Sequence, residues 1–341
     1  LNTPIIHTHS AHCESGTLAA LLANRGYAIS EPMVFGISGS IFFAHFPFVR
    51  LYDIPLTSYR DFPRRIIRRN ARRLGFKVRF LRYRNPDRAM EDLDRLLETE
   101  GTVGLQTSVF WLPYFPEKMR FHFNGHNIMV YGKENGDYLV SDPVLDKPVR
   151  CAAESLKRAR FAPGVFAPRG ALYYPLTLPG KRDPKKAVLG GLEHACRRML
   201  FIPAPFFGYR GIAYLARRMR KWPERISNER TVRAYVGNVF RMQEEIGTGG
   251  AGFRFMYASF LQEAAALLER ESLETFSRRM MQIGDRWRDF ALMAGRFCKD
   301  KTDFETLGAL SDILFELSVY ERDFFRDLFR ETRLLKKKVV S

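Results

Sequence analysis

A change of grammar at residues 175–184 constrains this chain more than any other feature. The stretch Pro175-Leu176-Thr177-Leu178-Pro179-Gly180-Lys181-Arg182-Asp183-Pro184 is rich in turn formers and charge, and it reads as a domain boundary. Before it, strand-like and helical segments alternate. After it only helical spacing remains, over 185–200, 208–221, 229–245, 252–270, 273–297 and 303–331; Leu261, Ala264, Ala265 and Leu268 show the pattern. The expectation is an α+β domain over residues 1–176 followed by an all-α helical bundle over 185–335. With 341 residues and 46% hydrophobic content, there is enough apolar material for two cores.

Within the first half, residues 15–25 read as a helix with Gly26 as its stop. Segments 33–37, 40–44, 76–82, 102–110, 127–133 and 137–142 are short, β-branched or aromatic, and bounded by turn residues, as strands are. Residues 61–74 and 86–99 have helical spacing, and Asn85-Pro86 suits an N-cap followed by a first helical residue. No repeat at a fixed period and no low-complexity tract is present, and Lys336-Lys337-Lys338 reads as a frayed end.

Lys and Arg number 55 against 37 Asp and Glu, a surplus of +18 that predicts an acidic partner. Nucleic acid ranks low as that partner, because zinc-finger spacing, an RNP-like signature and an evident helix-turn-helix are all missing. The four cysteines (Cys13, Cys151, Cys196, Cys298) contain no CxxC pair, which excludes a disulfide framework and a zinc site. A reduced, cytoplasmic protein is expected. The residues Leu1-Asn2-Thr3-Pro4 lack the charged-then-apolar layout of a secretion signal, and no apolar run approaches the about 18 residues of a transmembrane segment, so neither is expected.

Chemistry concentrates at Ser10-Ala11-His12-Cys13-Glu14-Ser15-Gly16. Cys13 falls in the first turn of a helix with Ser10 as candidate N-cap, where the helix dipole favours a thiolate. Downstream, Gly125-His126 enters one strand and Asp142-Pro143 leaves the next. A thiol, an imidazole and a carboxylate make a nucleophile, a base and an orienter. Hairpin register tests whether the last two can meet. A two-residue Asn135-Gly136 turn pairs Glu134 with Asp137 and puts Asp142 on the wrong face. A three-residue turn pairs Lys133 with Asp137, sets Ile128 opposite Asp142, and makes His126 its diagonal neighbour, about 7–8 Å away at the backbone. The three-residue turn is therefore expected. Cys151, Cys196 and Cys298 read as small buried hydrophobes. His7, His9, His12 and His122 bring no further ligands with them, so no metal is expected.

The residues His12-Cys13-Glu14-Ser15, Gly36-Ile37-Ser38-Gly39 with Ile41-Phe42-Phe43, Leu112-Pro113-Tyr114, Gly125-His126 and Asp142-Pro143 together resemble the butirosin biosynthesis protein H family. The resemblance extends into the helical half through 245–254 and 257–264. It implies a papain-like cysteine peptidase-type first domain, similar to the peptidase domains of bacteriocin exporters. The implied activity is transfer of an acyl group from an acyl carrier protein to a small amine acceptor through a thioester on Cys13, with His126 as base and Asp142 as orienter. Exporter peptidases carry a glutamine oxyanion donor six residues before the cysteine, where this chain has His7. No cofactor would be bound by the enzyme itself; phosphopantetheine would arrive on the carrier.

Arg64, Arg65, Arg68, Arg69, Arg72 and Arg73 would form one cationic helix face, either simply solvated or a dock for the acidic carrier. Arg210, Arg217, Arg218, Arg220 and Lys221 form a second basic cluster. Phe42, Phe43, Phe46, Phe48, Phe110, Trp111, Tyr114 and Phe115 are candidates for an acyl channel, or ordinary core. Tyr114, Arg254, Tyr257 and Glu263 are substrate-binding candidates, while Gly247–Gly252 lacks the lysine of a phosphate loop. Acyl transfer in secondary metabolism is the expected function. The rivals are a cysteine peptidase or thioesterase, and a non-catalytic binding protein on the same scaffold.

Overall fold

The computed structural model describes residues 5–51, 53–180, 182–299 and 305–340. In chain order the first elements are α1 (Cys13–Ala23), α2 (Glu31–Ser38), β1 (Ile41–Leu51), β2 (Ile54–Arg60), α3 (Arg65–Leu74) and β3 (Val78–Leu81). There follow α4 (Pro86–Glu100), β4 (Val103–Thr107), β5 (His126–Glu134), β6 (Asp137–Ser141), β7 (Val149–Ala152), α5 (Ala153–Arg160) and β8 (Leu172–Pro175). The remainder is helical: α6 (Pro184–Phe201), α7 (Gly208–Arg220), α8 (Trp222–Arg225), α9 (Glu229–Glu244), α10 (Arg254–Leu268), α11 (Glu271–Lys299) and α12 (Glu305–Val340). Among the described residues no helix is long and apolar enough to cross a membrane.

Two compact units result: Leu1–Val34 with Pro63–Arg182, and Phe35–Phe62 with Asp183–Ser341. The first is α+β. Its sheet is antiparallel throughout, in the order β3-β8-β4-β5-β6-β7. Parity divides the strands: Val103, Leu105, Ile128 and Val130 join Leu93, Leu96 and Leu156 in a core under α4 and α5. On the opposite face α1 packs on β4, β5 and β8, and α3 packs on α1 and β3. Gly104 has no side chain because Tyr173 and Leu21 fill that space: a Cβ there would lie 2.5 Å from the Tyr173 ring.

The second unit is mostly helical, with one addition that the spacing does not predict. Residues 35–62, expected with the first half, group with the helices because the β1–β2 hairpin is aromatic. Phe43 stacks on Trp287 at 5.9 Å, Tyr59 meets Trp287 edge-on at 5.3 Å, and the Arg198 guanidinium sits 3.9 Å from the Phe42 ring centre. The glycine run turns α9 into α10, and Gly252, at φ +56°, lies so close to Tyr59 that a Cβ would reach 2.2 Å from its ring.

Local expectations fare unevenly. Asn85 accepts the Arg88 N–H at 3.0 Å with Pro86 next, as the pair predicts. Residues 33–37, predicted as a strand, belong instead to α2, whose first turn is capped by the Ser30 hydroxyl accepting from Met33 N–H at 3.1 Å. An apolar run of five residues does not distinguish the two. The lysines 336–338 lie within the bounds of α12.

Candidate active site

Cys13 is the first residue of α1, and its cap is His12, not Ser10. His12 Nδ1 accepts the Ser15 N–H at 3.3 Å, and the Glu31 carboxylate accepts the Ala11 and His12 N–H groups at 2.8 Å each and the Ser15 hydroxyl at 2.9 Å. The turn before the sulfur is thus tied down from three sides. Burial of Glu31 raises its pKa, although those hydrogen bonds oppose the rise. Ser10 serves elsewhere, its N–H donating to the Pro143 carbonyl at 2.6 Å and so joining the approach to α1 to the segment after Asp142. Gly16 makes that junction possible, since a Cβ there would lie 2.5 Å from Ser10 and 2.9 Å from Pro143.

His126 begins β5 and Asp142 follows β6. The turn between these strands is not the expected three-residue one. Glu134 pairs with Asp137 across a two-residue turn in which Asn135 and Gly136 have φ of +50° and +88°, the left-handed pair of a type I′ hairpin. Register is corrected further along, where Gly132 pairs with Leu139 but Val130 with Val140, leaving Tyr131 as a β-bulge. Met129 then faces Ser141, and the next pair in sequence is Ile128 with Asp142, the register sought.

His126 Nε2 lies 2.7 Å from Asp142 Oδ2, with both side chains buried. Asp142 Oδ2 also accepts the Tyr114 hydroxyl at 2.9 Å, and its Oδ1 accepts the Val144 N–H at 3.2 Å. Burial opposes a charge on His126, but the Asp142 carboxylate and a hydrogen bond with Cys13 outweigh it and raise the imidazole to about 10. Nε2 is engaged by Asp142, which leaves Nδ1 as the ring nitrogen available to Cys13. Phe115 packs edge-on against the imidazole at 5.7 Å and fixes its plane. Cys13 as a residue is 6% exposed, and around its sulfur the Gly125 carbonyl and Asn127 Nδ2 each lie at 3.8 Å. Asn127 is held by its own contacts, donating to Gly125 O and accepting from Tyr173 OH, each at 3.0 Å.

Such an arrangement supports nucleophilic chemistry. An imidazolium beside a sulfur at a helix N-terminus favours the thiolate, and a buried carboxylate holds the ring tautomer. His7 does not serve as a donor to it: its Nδ1 is 2.7 Å from the Ser141 hydroxyl and its Nε2 is 3.0 Å from the Leu145 carbonyl. Sequence reasoning does not find Asn127, Glu31 or Tyr173. Asn127 has a signal, a lone amide within the apolar strand His126-Asn127-Ile128-Met129-Val130. Glu31 has none.

The other candidates separate. Tyr114 donates to Asp142 and so helps to hold its carboxylate in place. Burial first, then that charge, pushes its phenol well up. Arg254 and Tyr257 are wholly buried in the helical unit, which corrects their reading as substrate contacts. Arg254 donates to Glu321 through Nε at 2.8 Å and Nη2 at 2.9 Å, and Tyr257 lies among Phe260 and Phe325. Glu263 is half-buried on α10. The six arginines do not form one face: Arg69 is buried, Arg65 and Arg72 are exposed, Arg73 is half-buried, and Arg64 and Arg68 line a cavity. Cys151 is buried, which pushes its thiol up to about 12, and burial raises Cys196 and Cys298 also. Among the described residues no three His, Cys, Asp or Glu side chains converge in a way that could hold a metal.

Two family descriptions match the chain. Butirosin biosynthesis protein H, N-terminal, matches residues 12–143, and a domain of unknown function, DUF4872, matches residues 154–328. Among curated proteins there is no match. A crystal structure described as a C39-like peptidase from Bacillus anthracis is similar over 52% of this chain and 96% of its own, with 14% identity and a TM-score of 0.36.

Proposed function

We propose, for a chain that belongs to the family joining the butirosin biosynthesis protein H N-terminal domain to the DUF4872 domain, a cysteine-dependent transfer of an acyl group from a carrier-protein thioester to an amine. The convergence of Cys13, His126 and Asp142 on one end of the sheet carries this reading. The Cys13 thiolate attacks the thioester carbonyl, the carbon–sulfur bond to pantetheine breaks, and His126 protonates the departing thiolate. The amine then attacks the acyl-Cys13 carbonyl and His126 takes the amine's proton. The new amide leaves Cys13 as thiolate. The Cys13 backbone N–H and Asn127 Nδ2 are the donors suited to the oxyanion of each tetrahedral intermediate. Asp142 keeps the imidazole oriented through both steps.

The test is intact-protein mass spectrometry after incubation with an acyl-loaded, acidic carrier protein. The expected result is a covalent acyl adduct on the wild type, absent from Cys13→Ala and discharged faster by amines than by water. Discharge at one rate with or without amine turns the assignment to a thioesterase or peptidase. No adduct and no selective alkylation of Cys13 turns it to a binding protein.

A further inference from the structure

The first unit holds a cavity of about 350 Å³ that the chemistry above does not use. Arg64, Arg68, Arg82, Phe80, Gln106 and Tyr173 line it, and its lining contains no carboxylate. Arg68 and Arg82 have no acidic partner among the described residues; Arg68 lies over the Phe80 ring at 5.5 Å. Arg64 donates to Gln106 Oε1 at 2.7 Å, and does so from a backbone φ of +68°, a conformation that costs an arginine and that glycine would adopt freely. Burial lowers the Arg64 pKa, the charges of Arg82 and Arg68 lower it further, and Glu14 and Tyr173 only partly oppose them. Three guanidinium groups gathered around one open pocket repel one another, and an anion entering it relieves that repulsion.

The cavity lies on the same sheet face as Cys13. Register pairs Phe80 with Tyr173, Tyr173 with Gly104, and Gln106 with Asn127, so Phe80, Tyr173, Gln106 and Asn127 all point toward α1 and α3. Tyr173 lines the cavity and donates to Asn127, whose amide touches the Cys13 sulfur. At the usual strand spacing of about 4.8 Å, β3 is three strands from β5, about 14 Å away. A pantetheine arm with its thioester at Cys13 and its phosphate among these arginines bridges that distance.

We propose that this cavity binds the phosphate of the acyl donor's pantetheine arm. The assignment rests on the acyl-transfer reading of Cys13 for its ligand, but its test is a binding measurement on Cys13→Ala, which needs no turnover. Titration calorimetry with 4′-phosphopantetheine and with pantetheine compares ligands that differ in the phosphate alone. The phosphate should tighten binding to Cys13→Ala about tenfold or more, as expected for charge-assisted hydrogen bonds. Added Arg68→Ala or Arg82→Ala, both at exposed side chains, should erase that difference, while Arg217→Ala in the helical unit should leave it intact. Equal binding of the two ligands, or a preference that survives both cavity substitutions, overturns the site even if Cys13 proves to be acylated. Coenzyme A separates the sources: binding no tighter than 4′-phosphopantetheine assigns the site to a carrier-borne arm, and much tighter binding assigns it to a free nucleotide thioester.

Discussion

His126 Nε2 reaches Asp142 Oδ2 at 2.7 Å because β5 carries one residue more than β6 between this pair and their turn. Tyr131 is that residue. A side-chain period of two means that a strictly matched hairpin would send the imidazole and carboxylate to opposite faces. The bulge is therefore what assembles the pair.

The pair should be visible in the pH dependence of stability. Folding raises the His126 pKa from about 6.5 to about 10, with burial opposing the rise and Asp142 and Cys13 prevailing. A folded-state pKa above the unfolded value means that the protonated ring stabilises the fold fully below about 6.5, and that this is lost as pH rises through about 10. Thermal denaturation of wild type and His126→Gln should show a Tm gap that is widest on the acid side and shrinks toward pH 10. A gap that widens with rising pH would show that the ring is buried neutral.

Asp142 and Tyr114 should differ in severity. Asp142→Asn leaves the geometry nearly intact but offers His126 the wrong partner, and acylation of Cys13 should slow by about two to four orders of magnitude. Tyr114→Phe removes one of two hydrogen bonds to Asp142 Oδ2, and a loss of about tenfold is expected. Rapid-quench acylation rates decide the matter; a Tyr114→Phe defect equal to that of Asp142→Asn would mean that the phenol takes part in chemistry itself.

The site is legible in the sequence where it depends on local chemistry and obscure where it depends on packing. Cys13, His126 and Asp142 can be named because a helix start and a hairpin restrict what their neighbours do. The correct register is reached with the wrong turn, since Asn135-Gly136 is itself the strongest two-residue turn signal and a bulge leaves no mark in composition. Ser10 looks like a cap, but α1 starts at Cys13, so the cap position falls on His12 and Ser10 lies two residues outside it, tied to Pro143 by its backbone N–H. Residues 35–62 read as part of the first half because chain order says nothing about which core an aromatic hairpin joins. Arg254 and Tyr257 read as exposed to ligand because a polar group at helical spacing looks the same whether it faces a cleft or a buried partner.

Gly16 offers a test of the junction between α1 and the Asp142 segment. A methyl group at Gly16 would overlap Ser10 and Pro143, which forces α1 away from the Asp142 side of the site. Gly16→Ala should destabilise the protein by about 1–3 kcal/mol, the range for overpacking, despite alanine's higher helix propensity. It should also slow iodoacetamide alkylation of Cys13 at neutral pH, because the sulfur shifts relative to His126. Unchanged alkylation with unchanged Tm would show that the segment yields freely.

Arg254 and Glu321 are both fully buried, so their energetics should follow the rules for interior ion pairs. Arg254 also donates to the Gly252 carbonyl at 2.6 Å and faces the Trp287 ring at 5.2 Å, while Trp287 Nε1 donates to Glu321 at 2.7 Å. Removing the arginine alone strands a carboxylate in the core, and Arg254→Met should cost about 3–5 kcal/mol. Neutralising its partner as well removes that unpaired charge while keeping an acceptor for Trp287. Arg254→Met with Glu321→Gln should therefore recover much of the loss in urea denaturation, although each single substitution destabilises. A double variant no better than Arg254→Met would place the cost in the lost contacts to Gly252 and Trp287, not in the stranded charge. Substrate contact predicts something else again: unchanged stability with weakened acylation, a result at odds with a guanidinium closed off from solvent.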